Sequence, residues 1–141
     1  MKPDIRIESV FPPEFLREAA ELYRLAEWVG KDDDCSFLGA ALEHSCAVAA
    51  AYDGARLIGM GRALGDGVSD AYIQDVVVAT EYRKCGIGGA IVRTLVAELQ
   101  KRGVDWIALV GAPGTENFYR SLGFTSPEGF TFWQAPVYPE K

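Results

Sequence analysis

Apolar and polar residues alternate over Ile5-Arg6-Ile7-Glu8-Ser9-Val10, the period-two signature of a half-buried strand. Pro12 and Pro13 then open a segment whose apolar positions, Phe15, Ala19, Leu22, Ala26 and Val29, recur at helical spacing until Gly30 stops it. The run Lys31-Asp32-Asp33-Asp34 reads as an acidic loop, with its last aspartates placed to cap a second helix from about Cys35 to Ser45. Cys46 to Tyr52 is continuously apolar and of strand length. Asp53-Gly54 is a hairpin signal into Arg56–Leu64, and Gly65-Asp66-Gly67 turns again into Ala71–Val78. A second helical run, Ile87, Ile91, Leu95 and Leu99, ends on Lys101, Arg102 and Gly103. Trp106 to Val110 is a further strand. Thr115 is placed to cap a short helix to Leu122, and Phe124 and then Phe130 to Gln134 supply the final strands.

The resulting order is β-α-α-β-β-β-α-β-α-β-β, without repeat, linker or low-complexity segment. Three hairpin-linked strands followed by one β-α-β crossover imply an α/β (α+β) fold. Its central sheet is mixed, mostly antiparallel, with flanking helices. One domain over residues 1–141 accommodates all of it.

The joint between the strand ending at Val78 and the helix beginning near Ile87 concentrates the chemistry. It reads Val78-Ala79-Thr80-Glu81-Tyr82-Arg83-Lys84-Cys85-Gly86-Ile87-Gly88-Gly89. A strand–loop–helix of this kind offers unpaired backbone N–H groups, the positive end of a helix dipole and two cations. Its glycines let a ligand approach the main chain. That combination suits a pyrophosphate, so nucleotide or cofactor binding leads.

Charge narrows the field. Fourteen Lys and Arg against twenty Asp and Glu give a net charge of −6, which argues against general nucleic-acid or anionic-membrane binding. Cys35, Cys46 and Cys85 form an odd set without CxxC spacing, which points to a reducing, cytoplasmic setting. The first residues carry no apolar leader stretch, and a single histidine, His44, gives no metal site.

The element order, with Arg83-Lys84-Cys85-Gly86-Ile87-Gly88 after the third hairpin strand, resembles the GNAT superfamily of acyl-CoA N-acyltransferases. Its signature (Arg or Gln, two residues, Gly, one residue, Gly or Ala) is met in full. Phe118-Tyr119-Arg120-Ser121-Leu122-Gly123-Phe124 is similar to the family's Phe-Tyr-x-x-Leu-Gly-Phe segment. The resemblance implies an N-acetyltransferase that moves an acetyl group from acetyl-CoA to a primary amine, without a metal. It assigns the pyrophosphate to the amides of Arg83, Lys84, Cys85, Gly86, Ile87, Gly88 and Gly89, and the pantetheine arm to the main chain of Val76, Val77 and Val78. The strands Ile73–Val78 and Trp106–Val110 splay apart in such enzymes. The resemblance also assigns protonation of the leaving thiolate to Tyr119.

The family's frequent Asn seven residues before the tyrosine is Ala112 here, and Trp106–Val110 carries no carboxylate to serve as base. Asp75 is then a candidate for meeting the amine, on a period-two face shared with Ile73 and Val77, with hydrogen bonding within the sheet as its other reading. Trp28 and the aspartates after it fall in the region that borders the acceptor in the family. Together with the acidic balance, this favours a small cationic amine. A homodimer stays open.

Two other classes compete. One is a non-catalytic acyl-CoA-binding sensor or partner module. The other is a dinucleotide-binding oxidoreductase, suggested by Gly86-x-Gly88 and by Asp105 nineteen residues on; Ile91 occupies the place of that fingerprint's third glycine.

Overall fold

The computed structural model describes residues 2–137, in two compact units that divide after Leu109. The first unit is built on one sheet. Strand β1 (Asp4–Ile7) is followed by helices α1 (Pro13–Leu25) and α2 (Phe37–Glu43), then by β2 (Ala47–Asp53), β3 (Arg56–Gly65) and β4 (Asp70–Val78). A 3-10 turn over Thr80–Tyr82 leads to helix α3 (Ile87–Lys101) and strand β5 (Trp106–Leu109). Sheet order is β1-β2-β3-β4-β5, antiparallel throughout except for the parallel β4–β5 pair that α3 connects.

The two faces of the sheet are filled separately. Phe15, Ala19, Leu22 and Tyr23 of α1 with Leu38 and Leu42 of α2 pack on Val48, Ala50, Met60 and Val77. On the opposite face α3 buries Ile87, Ile91, Leu95 and Leu99. Gly59 and Gly61 of β3 let that helix approach: a Cβ on either would stand 3.0 Å from Ile91. The alanine-rich β2 is buried on both sides, so its small side chains thin the sheet where helices cover it twice.

Helix α1 stops at Leu25, a turn short of the Gly30 stop that the apolar spacing predicts. The cause is a Schellman cap. Glu27 adopts φ 62°, its N–H donates to Arg24 O at 3.0 Å, and Trp28 N–H donates to Tyr23 O at 3.1 Å. The hydrophobic contact typical of that cap is here the Trp28 ring set edge-on to Tyr23, centroids 5.0 Å apart. The aspartates do not cap α2: its N-cap is Ser36, without a side-chain cap bond, and Asp34 accepts from Ser36 N–H at 3.0 Å, ahead of the helix.

In the second unit, helix α4 (Glu116–Ser121) follows the loop after β5. Phe124 and Phe130–Gln134 do not form the two final strands. Among the described residues no backbone hydrogen bond joins the segment beyond Phe124, and β propensity without a pairing strand makes no strand. Phe130, Phe132 and Trp133 are 69%, 65% and 86% exposed.

Candidate active site

The glycine-bearing joint folds as a turn that delivers free donors to the head of a helix. Arg83 is extended, Lys84 has φ 61°, and Gly86 is the left-handed N-cap of α3 at φ 79°, ψ 6°. The first backbone bond of the helix is Ala90 N–H to Gly86 O at 3.1 Å. Among the described residues, the N–H groups of residues 84 to 89 have no acceptor. Together with the dipole of a fifteen-residue helix, they make a setting that suits an anion. Arg83 Nε donates to Val78 O at 3.2 Å, and its side chain and that of Lys84 are exposed. Ile87 faces the core at 2% exposure, so only its backbone is available to a ligand. The Cys85 side chain is exposed, its Sγ against Arg83 O at 3.4 Å.

The strand leading to that turn is half open. Parallel pairing of β4 with β5 runs from Asp70–Trp106 to Ile73–Leu109 and ends there, so Gln74 to Val78 has a strand partner on the β3 side alone. On that side the register slips. Met60 pairs with Val77 and Arg62 with Gln74, two steps along β3 against three along β4. The extra residue makes a β-bulge, and Asp75 sits in it at φ 57°.

The bulge overturns the expected alternation. Val77 joins the α1 face, whereas Val76 lies toward α3: a Cβ on Gly61 would meet Val76 at 3.1 Å and Ile91 at 3.0 Å. Ile73 pairs with Ala63 and Val77 with Met60, three positions apart on β3, so Ile73 and Val77 take opposite faces and Asp75 keeps only Val77's. Its Oδ2 instead accepts from Tyr23 Oη at 2.7 Å and from Arg62 Nε at 2.8 Å. Burial and the neighbouring Asp75 carboxylate push the Tyr23 phenol well above its ordinary value, so it stays a donor.

Neither Tyr23 nor Arg62 stands out in sequence as a site residue. The available signal was a lone arginine inside the apolar run Leu57–Leu64, opposite an aspartate one hairpin strand away.

Trp28 lines an open cleft of about 680 Å³ at the end of α1, with Glu21, Arg24, Glu27, Lys31 and Asp33. Two of its carboxylates are engaged, Glu21 by Arg24 at 3.0 Å and Asp33 by Gly30 N–H at 2.6 Å.

Tyr119 belongs to the second unit. Its ring packs edge-on to Phe118 and Phe124, with centroids at 4.8 Å and 5.8 Å, and a Cβ on Gly111 would touch it at 3.7 Å. Burial raises its phenol pKa, so it carries its proton at neutral pH. Asn117 accepts from Arg120 at 3.2 Å at the surface.

The family model for the acetyltransferase (GNAT) family matches residues 6–124, and the chain belongs to that family. It is 45% identical over 75 residues to GCN5-related N-acetyltransferase 1, chloroplastic, of Arabidopsis thaliana, a match covering 52% of this chain and 38% of that protein. Over 88 residues it is 43% identical to serotonin N-acetyltransferase 2, chloroplastic, of Oryza sativa subsp. japonica, covering 60% and 44%. The matched segment thus spans less than half of either relative. Among solved structures, a GNAT-family acetyltransferase from Streptococcus pneumoniae TIGR4 superposes with TM-score 0.75 at 25% identity, covering 96% of this chain and all of the other. Among the described residues no helix is long and apolar enough to cross a membrane, and no cluster of side chains fits a metal.

Proposed function

We propose that this chain is an acetyl-CoA-dependent N-acetyltransferase whose acceptor is a small cationic amine. The observation that carries the reading is the row of free N–H groups over residues 84 to 89, directly after a strand whose outer edge is unpaired from Gln74 onward. The pyrophosphate sits on those amides, where Gly86 and Gly88 lack a Cβ, with Arg83 and Lys84 beside it. The pantetheine arm pairs with the main chain of Val76–Val78. The amine nitrogen attacks the thioester carbonyl, forming the C–N bond as the C–S bond breaks. The ammonium first gives one proton to solvent and attacks as the neutral amine, and the nitrogen loses a second proton to solvent after attack. The departing sulfur takes a proton from the phenol that the family resemblance assigns to this role, Tyr119, which is reprotonated from solvent.

The cleft at Trp28 is proposed as the acceptor site. Glu27 and the indole face suit an ammonium group through charge and cation–π attraction. The likeness to a protein named for serotonin, an aromatic amine, supports an arylalkylamine as the first substrate to try. Asp75 is not needed as the ammonium's partner, because Arg62 at 2.8 Å already offsets its charge.

The family match across residues 6–124 supports one catalytic domain. The free cysteines support a reducing compartment, the cytoplasm, and fluorescence of a tagged chain tests it against the plastid placement in the relatives' names. The exposed Phe130, Phe132 and Trp133 support a homodimer, which light scattering reads directly.

The test is thiol release from acetyl-CoA with a panel of arylalkylamines, polyamines, aminoglycosides, amino acids and peptide N-termini. Amine-dependent CoA production with a cationic best substrate is expected. Acetyl-CoA binding without turnover on any amine would make the chain a binding module, and an anionic best substrate would remove the cationic acceptor.

A further inference from the structure

We propose that Tyr23 and Arg62 are positioning residues of the acyl-CoA strand, whose joint grip on Asp75 holds the β4 bulge in its left-handed conformation and ties it to the Trp28 cleft; this rests on the acetyltransferase reading above. Asp75 is one of three described non-glycine residues with positive φ, and the only one in a strand. An L-residue there is strained and persists only where the surroundings enforce it. The enforcing groups are on view. Two donors from elements 52 and 13 residues away converge on one oxygen, Oδ2, at 2.7 and 2.8 Å.

Arg62 is itself braced. Its NH1 donates to Ser45 Oγ at 3.3 Å and to Ala41 O at 3.4 Å, at the end of α2. The Arg62 and Asp75 side chains are 13% and 21% exposed, so the pair is screened little by salt. Its charges compensate each other, which suits a structural clamp better than a proton acceptor.

The clamp matters because of what it sets. One extra residue in β4 rotates the following main chain, so that Val76 and Val77 present their peptide groups in a register an unbulged strand would not give. That stretch is the one left without a partner on the β5 side. The same Tyr23 ring carries Trp28 edge-on at 5.0 Å. One phenol therefore joins the cleft proposed for the amine to the strand proposed for the thioester.

The experiment uses the full chain and four variants: Tyr23→Phe, Asp75→Gly, the two combined, and Asp75→Asn. Acetyl-CoA affinity is measured by calorimetry, and KM and kcat by thiol release. Tyr23→Phe is expected to weaken acetyl-CoA binding roughly tenfold, the scale of one hydrogen bond to a charged group, with a smaller change in kcat. Glycine adopts φ near 57° without strain. In the double variant Asp75→Gly is therefore expected to restore acetyl-CoA affinity to within roughly threefold of the parent. Asp75→Asn, which keeps an acceptor for Tyr23 and Arg62 and removes the charge, tests the carboxylate's chemistry should the glycine variant not fold.

Unchanged acetyl-CoA affinity in folded Tyr23→Phe would overturn the proposal. So would a hundredfold loss of kcat at unchanged affinity in Asp75→Gly or Asp75→Asn, which would make the carboxylate a chemical group. Failure of the parent chain to bind acetyl-CoA at all would instead remove the acetyltransferase reading.

Discussion

Gly86→Val concentrates the argument for the phosphate cradle in one substitution. Gly86 stands at φ 79°, ψ 6°, and an added Cβ meets nothing within 4 Å, so no packing clash opposes the change. What opposes it is the backbone. The left-handed region costs an ordinary L-residue about 1–2 kcal/mol and a β-branched one more. If the loop relaxes to negative φ, binding must restore the cradle, and about 1–2 kcal/mol corresponds to a roughly 5- to 30-fold loss of affinity. If it does not relax, valine adds bulk in the middle of the row of free N–H groups, in the space proposed for the phosphates. Both routes weaken CoA.

Gly54→Val is the matched control. Its φ is 60°, its surroundings are also open, and it sits in the β2–β3 hairpin. It should lose stability by a comparable amount, about 3–5 °C per kcal/mol for a chain of this length, with CoA affinity unaltered. Calorimetric titration of both variants with acetyl-CoA, beside their melting curves, gives the answer. A folded Gly86→Val that binds acetyl-CoA as tightly as the parent would refute the cradle and everything built on it.

Tyr119→Phe should lower kcat by about 10²–10⁴-fold at nearly unchanged acetyl-CoA affinity, because the sulfur needs a proton only as it leaves; full activity would show that the ring only packs. Gly61→Ala places a Cβ 3.0 Å from Ile91 and 3.1 Å from Val76, and overpacking there should cost about 1–3 kcal/mol in a denaturant titration. A midpoint equal to the parent's would mean that α3 yields without strain. Stability should also fall in alkali. Burial and carboxylate neighbours raise the phenol pKa of Tyr23 and of Tyr52, so above pH about 10 the unfolded chain loses protons that the folded chain keeps. Stabilisation by the two phenols is complete below that pH and is lost as pH rises toward their folded values. The double variant Tyr23→Phe/Tyr52→Phe should flatten that limb of the stability curve, and an unaltered slope would contradict the assignment.

Sequence alone determined the elements whose signals are local. Alternation located β1, apolar runs β2 and β5, turn signals the hairpins around β3 and β4, helical spacing α1 and α3, and cap and stop residues α2 and α4, because each of these depends on residues a few positions apart. Tertiary structure decided the rest. The β4 bulge reverses which face Val77 takes, and it is set by the pairing of β4 with β3 and by two side chains far away in sequence. No pattern within Ile73–Val78 records it. The end of α1 was decided by Glu27 entering the left-handed region, a conformation that a glycine would have announced and a glutamate does not. Likewise Asp75, read from sequence as a candidate to meet the amine, is held by Tyr23 and Arg62. A carboxylate's partners are chosen by packing, and packing brings together residues that the chain keeps apart.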